Sequence, residues 1–183
     1  RKETGGHYVG KHVIKRFYER YYAEKYEAEL LKTVKPFRTF QQPDLTRAVI
    51  CDLDGTLAWM QGRSPYDGTK VDKDEIDPQL RDLLILLRHS GLTLLFVSGR
   101  EGTEECREKT QKWLENHFDG YDFKLFMRKE KDYRGDEIIK KEIYDTYIKN
   151  NYYIHAVFDD RNKVVDMWRK EGLLCCQVAE GDF

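Results

Sequence analysis

The sequence predicts an α/β fold: a mainly parallel five-stranded sheet with helices on both faces, preceded by an N-terminal helix. Three observations carry this. From Arg47 onward, short continuous apolar runs alternate with segments of helical period. Runs apolar on both faces fit strands of a parallel sheet covered on each side. Reactive side chains follow where those runs stop, which is where such sheets bind ligands. The 183 residues are 40% hydrophobic and 36% charged, enough for one domain with a true core and a solvated surface.

Two regions are expected, 1–46 and 47–183. In the first, Val13, Phe17, Tyr21 and later Leu30 and Leu31 recur at helical spacing, among the tyrosines Tyr8, Tyr18, Tyr22 and Tyr26. Pro36 and Pro43 bracket a connector. In the second, Ala48–Cys51 reads as a buried strand. Pro78–His89 carries Leu80, Leu83, Leu84 and Leu87 at helical spacing and stops at Gly91. Leu92–Val97 is a second strand, Thr103–Phe118 a helix, Phe123–Met127 a third strand and Asp136–Lys149 a helix. Ile154–Phe158 is a fourth strand, Asn162–Lys170 a helix closed by Gly172, and Leu173–Val178 a fifth strand. The insert Trp59–Asp77 is too short for a large cap and suits a small flap, with Trp59, Met60, Gly62, Arg63, Pro65 and Tyr66 over the site.

The first strand ends in Asp52-Leu53-Asp54-Gly55-Thr56 and the second in Ser98-Gly99-Arg100. Arg128, Lys129 and Lys131 follow the third, and the fourth ends in Asp159-Asp160-Arg161. Asp52 and Asp54 stand one residue apart, so an extended chain points them the same way. Carboxylates crowded in one pocket either take up protons or are neutralised by a cation. Oxygen donors without His or Cys favour a hard ion such as Mg²⁺. Ser98, Arg100 and a lysine add phosphate donors. A carboxylate nucleophile, a hard cation and a phosphate clamp describe phosphoryl transfer. A lone Asp-x-Asp is usually a solvated turn, and Asp-Asp-Arg commonly caps a helix. It is the conjunction at four strand ends that carries the reading.

Asp52-Leu53-Asp54-Gly55-Thr56-Leu57 resembles the D-x-D-G-T motif of haloacid-dehalogenase (HAD) phosphohydrolases. Ser98, Lys140 and Asp159-Asp160 stand where that family's other motifs fall. The resemblance spans roughly Arg47 to Phe183 and implies a Rossmann-like HAD fold, Mg²⁺ dependence and an aspartyl-phosphate intermediate. It implies Asp52 as nucleophile and Asp54 as general acid, then base. Ser98 and Lys140 would hold phosphate; Asp52, the Asp54 carbonyl and Asp160 would hold the metal. Asp159 would be a ligand or a neighbour of one.

Asp52–Ala58, Gly62–Asp67, Val97–Glu101, Phe158–Arg161, Met167–Arg169 and Gly181–Phe183 are similar to the phosphatase half of phage polynucleotide 5′-kinase/3′-phosphatases. This implies removal of 3′-phosphate, and of 2′,3′-cyclic phosphate, from DNA or RNA ends in nucleic-acid repair. It adds Arg63, Arg100 and Asp136 to the essential set and Gly99 and Arg128 to the substrate contacts. Asp136 and Lys140 are i, i+4 neighbours, so Asp136 is expected to orient the Lys140 ammonium. Arg63 and Arg100 are expected to bind the phosphate-bearing end.

Residues 1–22 resemble the lid and last helix of the kinase half, yet no G-x-x-x-x-G-K-[ST] loop occurs, so the chain is not expected to phosphorylate 5′ ends. Expected partners are DNA or RNA 3′ ends, a kinase domain of the full-length protein and a second copy of the chain. Two other readings stay open: a nucleotidase or small-molecule phosphomonoesterase, and a silent end-binding module.

Lys+Arg 32 against Asp+Glu 33 give a net charge of −1, which excludes a globally basic nucleic-acid coat but not a local groove. The stretch Arg128–Lys141 carries six basic and four acidic residues; Trp59, Tyr66 and Tyr133 are candidate stacking platforms. No apolar run approaches the roughly 18 residues of a membrane span. Cys51, Cys106, Cys175 and Cys176 form no C-x-x-C pair, which fits a reducing, cytoplasmic setting. A start at Arg1 without Met or a signal pattern suggests a fragment or processed product.

Overall fold

The computed structural model describes His12, Lys15, Arg16 and Glu19, residues 38–65 and residues 67–181. The chain divides into two compact units, Arg1–Pro36 and Phe37–Phe183. The four described residues of the first are helical, with Lys15 and Glu19 pairing at 3.8 Å. The rest of the expected N-terminal helix, Tyr66 and the terminal Asp182-Phe183 lie outside the described residues.

The second unit is built on β1 (Thr46–Cys51), β4 (Thr93–Ser98), β5 (Phe123–Met127), β6 (Tyr152–Asp159) and β7 (Cys175–Gln177). They form one sheet in the order β5-β4-β1-β6-β7, and every pairing is parallel. Successive side chains of β1 serve opposite faces. Ala48 and Ile50 meet helices α3 (Asp136–Ile143) and α4 (Asn162–Lys170). Val49 and Cys51 meet α1 (Pro78–His89) and α2 (Glu104–His117). Burial on both sides is why β1 reads as a continuous apolar run rather than an alternating one.

Local sequence sets the helix starts. The Asp77 side chain accepts from the Gln79 and Leu80 amides ahead of Pro78, and Thr103 caps α2 through the Cys106 amide. The ends of α1, β5 and α4 fall where the sequence places them. The expected helix Asp136–Lys149 differs: α3 ends at Ile143 and widens into a π turn, Tyr144–Ile148, with the Lys149 amide bonded to the Tyr144 carbonyl at 2.8 Å. The five-residue step from Ile143 to Ile148 does not fit an α period. The wider turn brings both onto the buried face. The last strand is shorter than expected, Cys175–Gln177, because it pairs with β6 over three residues only.

The insert after β1 forms a flap: β2 (Ala58–Trp59) pairs antiparallel with β3 (Glu75–Ile76), and 3₁₀ turns span Gly68–Lys73 between them. Among the described residues no helix is long and apolar enough to cross a membrane, and all four cysteines are unpaired.

Candidate active site

The carboxyl ends of β1, β4, β5 and β6 share one edge of the sheet. Just beyond β1 the chain turns sharply: the Thr56, Leu57 and Ala58 amides all bond the Leu53 carbonyl. Gly55 takes φ 83° in this turn, and a Cβ there would collide with the Asp160 carboxylate. Glycine therefore supplies both the left-handed backbone and the room for Asp160. Leu53 is fully buried, and the carboxylates on either side of it enter different surroundings.

Asp52 faces Lys140, Asp159 and Asp160. Lys140 Nζ, on α3, lies 2.8 Å from Asp52 Oδ1 and 2.9 Å from Asp159 Oδ2. Trp168 Nε1 of α4 donates to Asp159 Oδ2 at 3.2 Å, and the Arg161 amide to Oδ1 at 3.3 Å. Asp160 accepts from Thr56 Oγ1 at 2.9 Å. One oxygen from each of Asp52, Asp159 and Asp160 lies within 4.8 Å of the others, and all three residues are buried. Burial, partly offset by Lys140 and reinforced by Asp159, pushes the Asp52 carboxyl up to about 8. Burial also raises Asp160, against the hydrogen bond from Thr56. Lys140 is held charged despite its burial by Asp52 and Asp159.

Asp54 enters a second cluster. It accepts from Arg63 Nη2 at 2.7 Å and from Arg100 Nη2 at 2.7 Å and Nε at 3.0 Å. Both guanidinium groups are also bound by Asp74. Arg63 donates to it through Nε at 2.8 Å and Nη2 at 2.6 Å, and Arg100 through Nη2 at 2.7 Å. Arg100 further donates to Thr110 Oγ1 at 3.2 Å. The side chains of Arg63 and Arg100 are 1% exposed, that of Asp74 0% and that of Asp54 25%. Burial pushes the Asp54 carboxyl up, but Arg100 and Arg63 outweigh it and hold Asp54 below the usual carboxylate range.

A third group lies beside Ser98 and Gly99. Ser98 is buried, its Oγ accepting from the Arg100 amide at 3.2 Å. Asp136 pairs with Arg128 Nη2, and with Arg161 Nη1 at 2.6 Å. Arg128 Nε donates to the Gly99 carbonyl at 2.8 Å. A Cβ on Gly99 would run into the Asp136 carboxylate.

Every site residue expected from the sequence thus stands at this edge, but three arrangements differ from expectation. Lys140 is held by Asp52 and Asp159, while Asp136, one turn earlier on α3, turns to Arg128 and Arg161. Asp52 and Asp159 meet the buried ammonium at the strand ends, while the Asp136 carboxylate is taken by the two guanidinium groups of Arg128 and Arg161. Arg63 and Arg100 do not project into the opening; they are sequestered around Asp54 and Asp74. Asp52 and Asp54 do not share surroundings, because the chain leaves the extended conformation at the turn.

Asp74 and Thr110 carried no signal in the sequence, and Trp168 stood in the Met167–Arg169 motif without an assigned role. Asp74 sits in the charge run Asp72-Lys73-Asp74-Glu75, where nothing separates the buried acid from its solvated neighbours. Thr56 and Arg161 were part of quoted motifs without an assigned role.

Residues 46–183 match the family described as Polynucleotide kinase PNKP phosphatase domain, and the chain belongs to that family. It is 40% identical over 126 residues to a protein of Autographa californica nuclear polyhedrosis virus named as a bifunctional polynucleotide kinase/RNA ligase, covering 67% of this chain and 18% of that protein. A chain in the structure of a Pnkp1/Rnl/Hen1 complex is 41% identical, with TM-score 0.76, over 82% of this chain and 52% of that one. A chain of the Pnkp1/Rnl/Hen1 RNA repair complex is 35% identical, with TM-score 0.78, over 98% and 59%. The chain therefore spans about half the length of these solved chains and under a fifth of the viral protein. The fold is the HAD-type α/β fold, and the domain is a phosphoric monoester hydrolase.

Proposed function

We propose that this domain removes 3′-phosphate, including that of 2′,3′-cyclic ends, from nucleic-acid ends in strand repair. The observation that carries the reading is the convergence of Asp52, Asp159 and Asp160 within 4.8 Å of one another beside the Lys140 ammonium. The RNA repair complex to which a related chain belongs supports RNA ends as the substrate, and the viral relative's kinase/ligase name supports a partner kinase.

The donor set suits Mg²⁺. Three carboxyl groups crowd one ammonium, and burial, the main cause of the upward shifts of Asp52 and Asp160, makes their charged forms costly without a cation. Hard oxygen donors with no His or Cys fit a small divalent cation. Asp52 and Asp160 would hold it, together with the Asp54 carbonyl. Asp159, whose two oxygens are already engaged by Lys140, Trp168 and the Arg161 amide, positions Lys140. When bound, the ion would neutralise the cluster and draw charge from the phosphate oxygens.

In the reaction, the Asp52 carboxylate attacks phosphorus. Arg100 and Arg63 keep Asp54 ionised at rest, so Asp54 must first take a proton from solvent, which it passes to the 3′-oxygen as the bond from phosphorus to that oxygen breaks. Asp54, ionised again, takes a proton from water, whose oxygen attacks the phosphoaspartate and releases phosphate and Asp52. Lys140 and Ser98 hold the non-bridging oxygens. Arg63 and Arg100 act through Asp54, fixing its carboxylate at the partly open end of their cluster.

The test is release of inorganic phosphate from matched DNA and RNA oligonucleotides bearing a 3′-phosphate, with and without Mg²⁺. Mg²⁺-dependent release is expected, with Asp52→Asn abolishing turnover while the circular dichroism spectrum is kept. Turnover surviving in Asp52→Asn ends the covalent mechanism, and preference for a 3′-mononucleotide over the oligomer ends the polynucleotide reading.

A further inference from the structure

A cleft of about 220 Å³ lies beside the catalytic edge, against the outer strand β5. Its floor is Leu125, Phe126, Met127, Ile139, Ile143 and Tyr147, and its rim carries Arg107, Arg128, Lys129 and Arg134 against Asp132 and Glu142. Arg134 pairs with both acids, Lys129 lies 3.6 Å from Glu142 and Arg128 pairs with Asp136, so the positive excess of the rim rests on Arg107 and the exposed Lys129. Phe126 and Tyr147 stack, with centroids 5.8 Å apart and planes inclined by 24°. Tyr147 remains 49% exposed, the Lys129 side chain is 75% exposed, and Arg107 is exposed.

Arg128 joins this cleft to the site. Its backbone amide bonds the Ser98 carbonyl at 3.3 Å, and its guanidinium bonds the Gly99 carbonyl and Asp136. One face of this residue therefore closes the phosphate edge while the other lines the cleft.

We propose that the cleft holds the nucleotides preceding the phosphate-bearing one, on a single strand. A base would lie against the Tyr147 ring at the apolar floor, and the preceding phosphates would meet Arg107 and Lys129. Aromatic platforms bordered by cations bind single strands with little sequence preference, because every base has a flat face and every linkage a charge. The proposal rests on the functional reading above and extends it to how longer ends are preferred. A polypeptide added along β5 would use the strand's backbone edge and would not need the cationic rim, so the charge favours nucleic acid.

The experiment compares the chain with its Tyr147→Ala and Arg107→Ala variants on 3′-phosphorylated di-, tetra- and hexanucleotides. For the unaltered chain kcat/KM should rise with length. Each variant should flatten that rise, weakening the hexanucleotide KM roughly ten-fold, and Arg107→Ala should also lower the slope of affinity against salt. Both side chains are exposed enough to be replaced without opening the core. Fluorescence anisotropy with the hydroxyl-ended hexanucleotide reads the same cleft without turnover: the variants should bind it roughly ten-fold more weakly. If the unaltered chain fails to release phosphate, the functional reading fails while anisotropy still judges the cleft. If the variants bind the hexanucleotide like the unaltered chain and keep the full gain with length, the cleft is not the strand's path, and a polypeptide occupant becomes the reading. If they lose activity equally at all lengths, the proposal is overturned as well.

Discussion

At the scale of single residues, the arrangement around Asp54 is governed by Asp74. Two buried guanidinium groups need two negative charges nearby, and Asp54, which bonds both, supplies only one. Asp74 supplies the second charge from a fully enclosed position, which leaves Asp54 fixed and partly exposed. Removing one member of a buried charge cluster leaves the others uncompensated. Asp74→Ala should therefore lower unfolding free energy by about 3–5 kcal/mol, read from the urea midpoint. A loss below about 1 kcal/mol would mean that the cluster behaves like surface ion pairs. Asp52, Ser98 and Asp160 were legible in the sequence because each follows an apolar strand. Asp74 was not, since its burial depends on a flap folding over arginines that are 11 and 26 residues away.

At the scale of elements, the flap is tied to the body of the domain by α2. Trp113 Nε1 donates to the Asp74 carbonyl at 2.8 Å, and the Arg100 guanidinium lies 6.0 Å from the Trp113 ring centre. Lys109 Nζ of the same helix also donates to the Thr69 carbonyl at 2.6 Å, so Trp113→Phe removes one of these bonds and should cost about 1 kcal/mol. The variant should also show faster amide exchange in the flap, residues 68–76, than in α1, with little change in β1. Uniform acceleration across the domain would show that Trp113 serves the core alone. The helices and strands were readable because caps and apolar periods are local: Asp77 before Pro78 starts α1 whatever lies elsewhere. Strands β2 and β3 were not, because two-residue strands have no period and exist only through their pairing. The π turn of Tyr144–Ile148 likewise follows from what must be buried.

At the scale of the whole molecule, the proposed Mg²⁺ site would link stability to metal affinity through the carboxylate cluster. Asp52 is pushed up to about 8 and Asp160 is also raised. A carboxyl raised on folding stabilises fully below its unfolded pKa, near 3.9, and that stabilisation is lost as pH rises through the folded value. The metal-free domain should thus lose stability between about pH 4 and about pH 8. Mg²⁺ at about 100 times its Kd should restore about 2.7 kcal/mol; at one fixed Mg²⁺ concentration the gain in Tm should grow toward the alkaline end, because fewer protons are displaced. A gain in Tm that does not vary with pH would separate metal binding from these carboxyls. The sheet, its helical layers and the edge where reactive groups gather are legible in the chain, because apolar period, caps and strand ends are written in neighbouring residues. Who pairs with whom emerges from packing alone: that Lys140 serves Asp52 and Asp159, that Arg63 and Arg100 are enclosed by Asp54 and Asp74, and that a cleft opens beside β5. Electrostatic pairing depends on distances between segments far apart in the chain, and those distances exist only once the layers have packed.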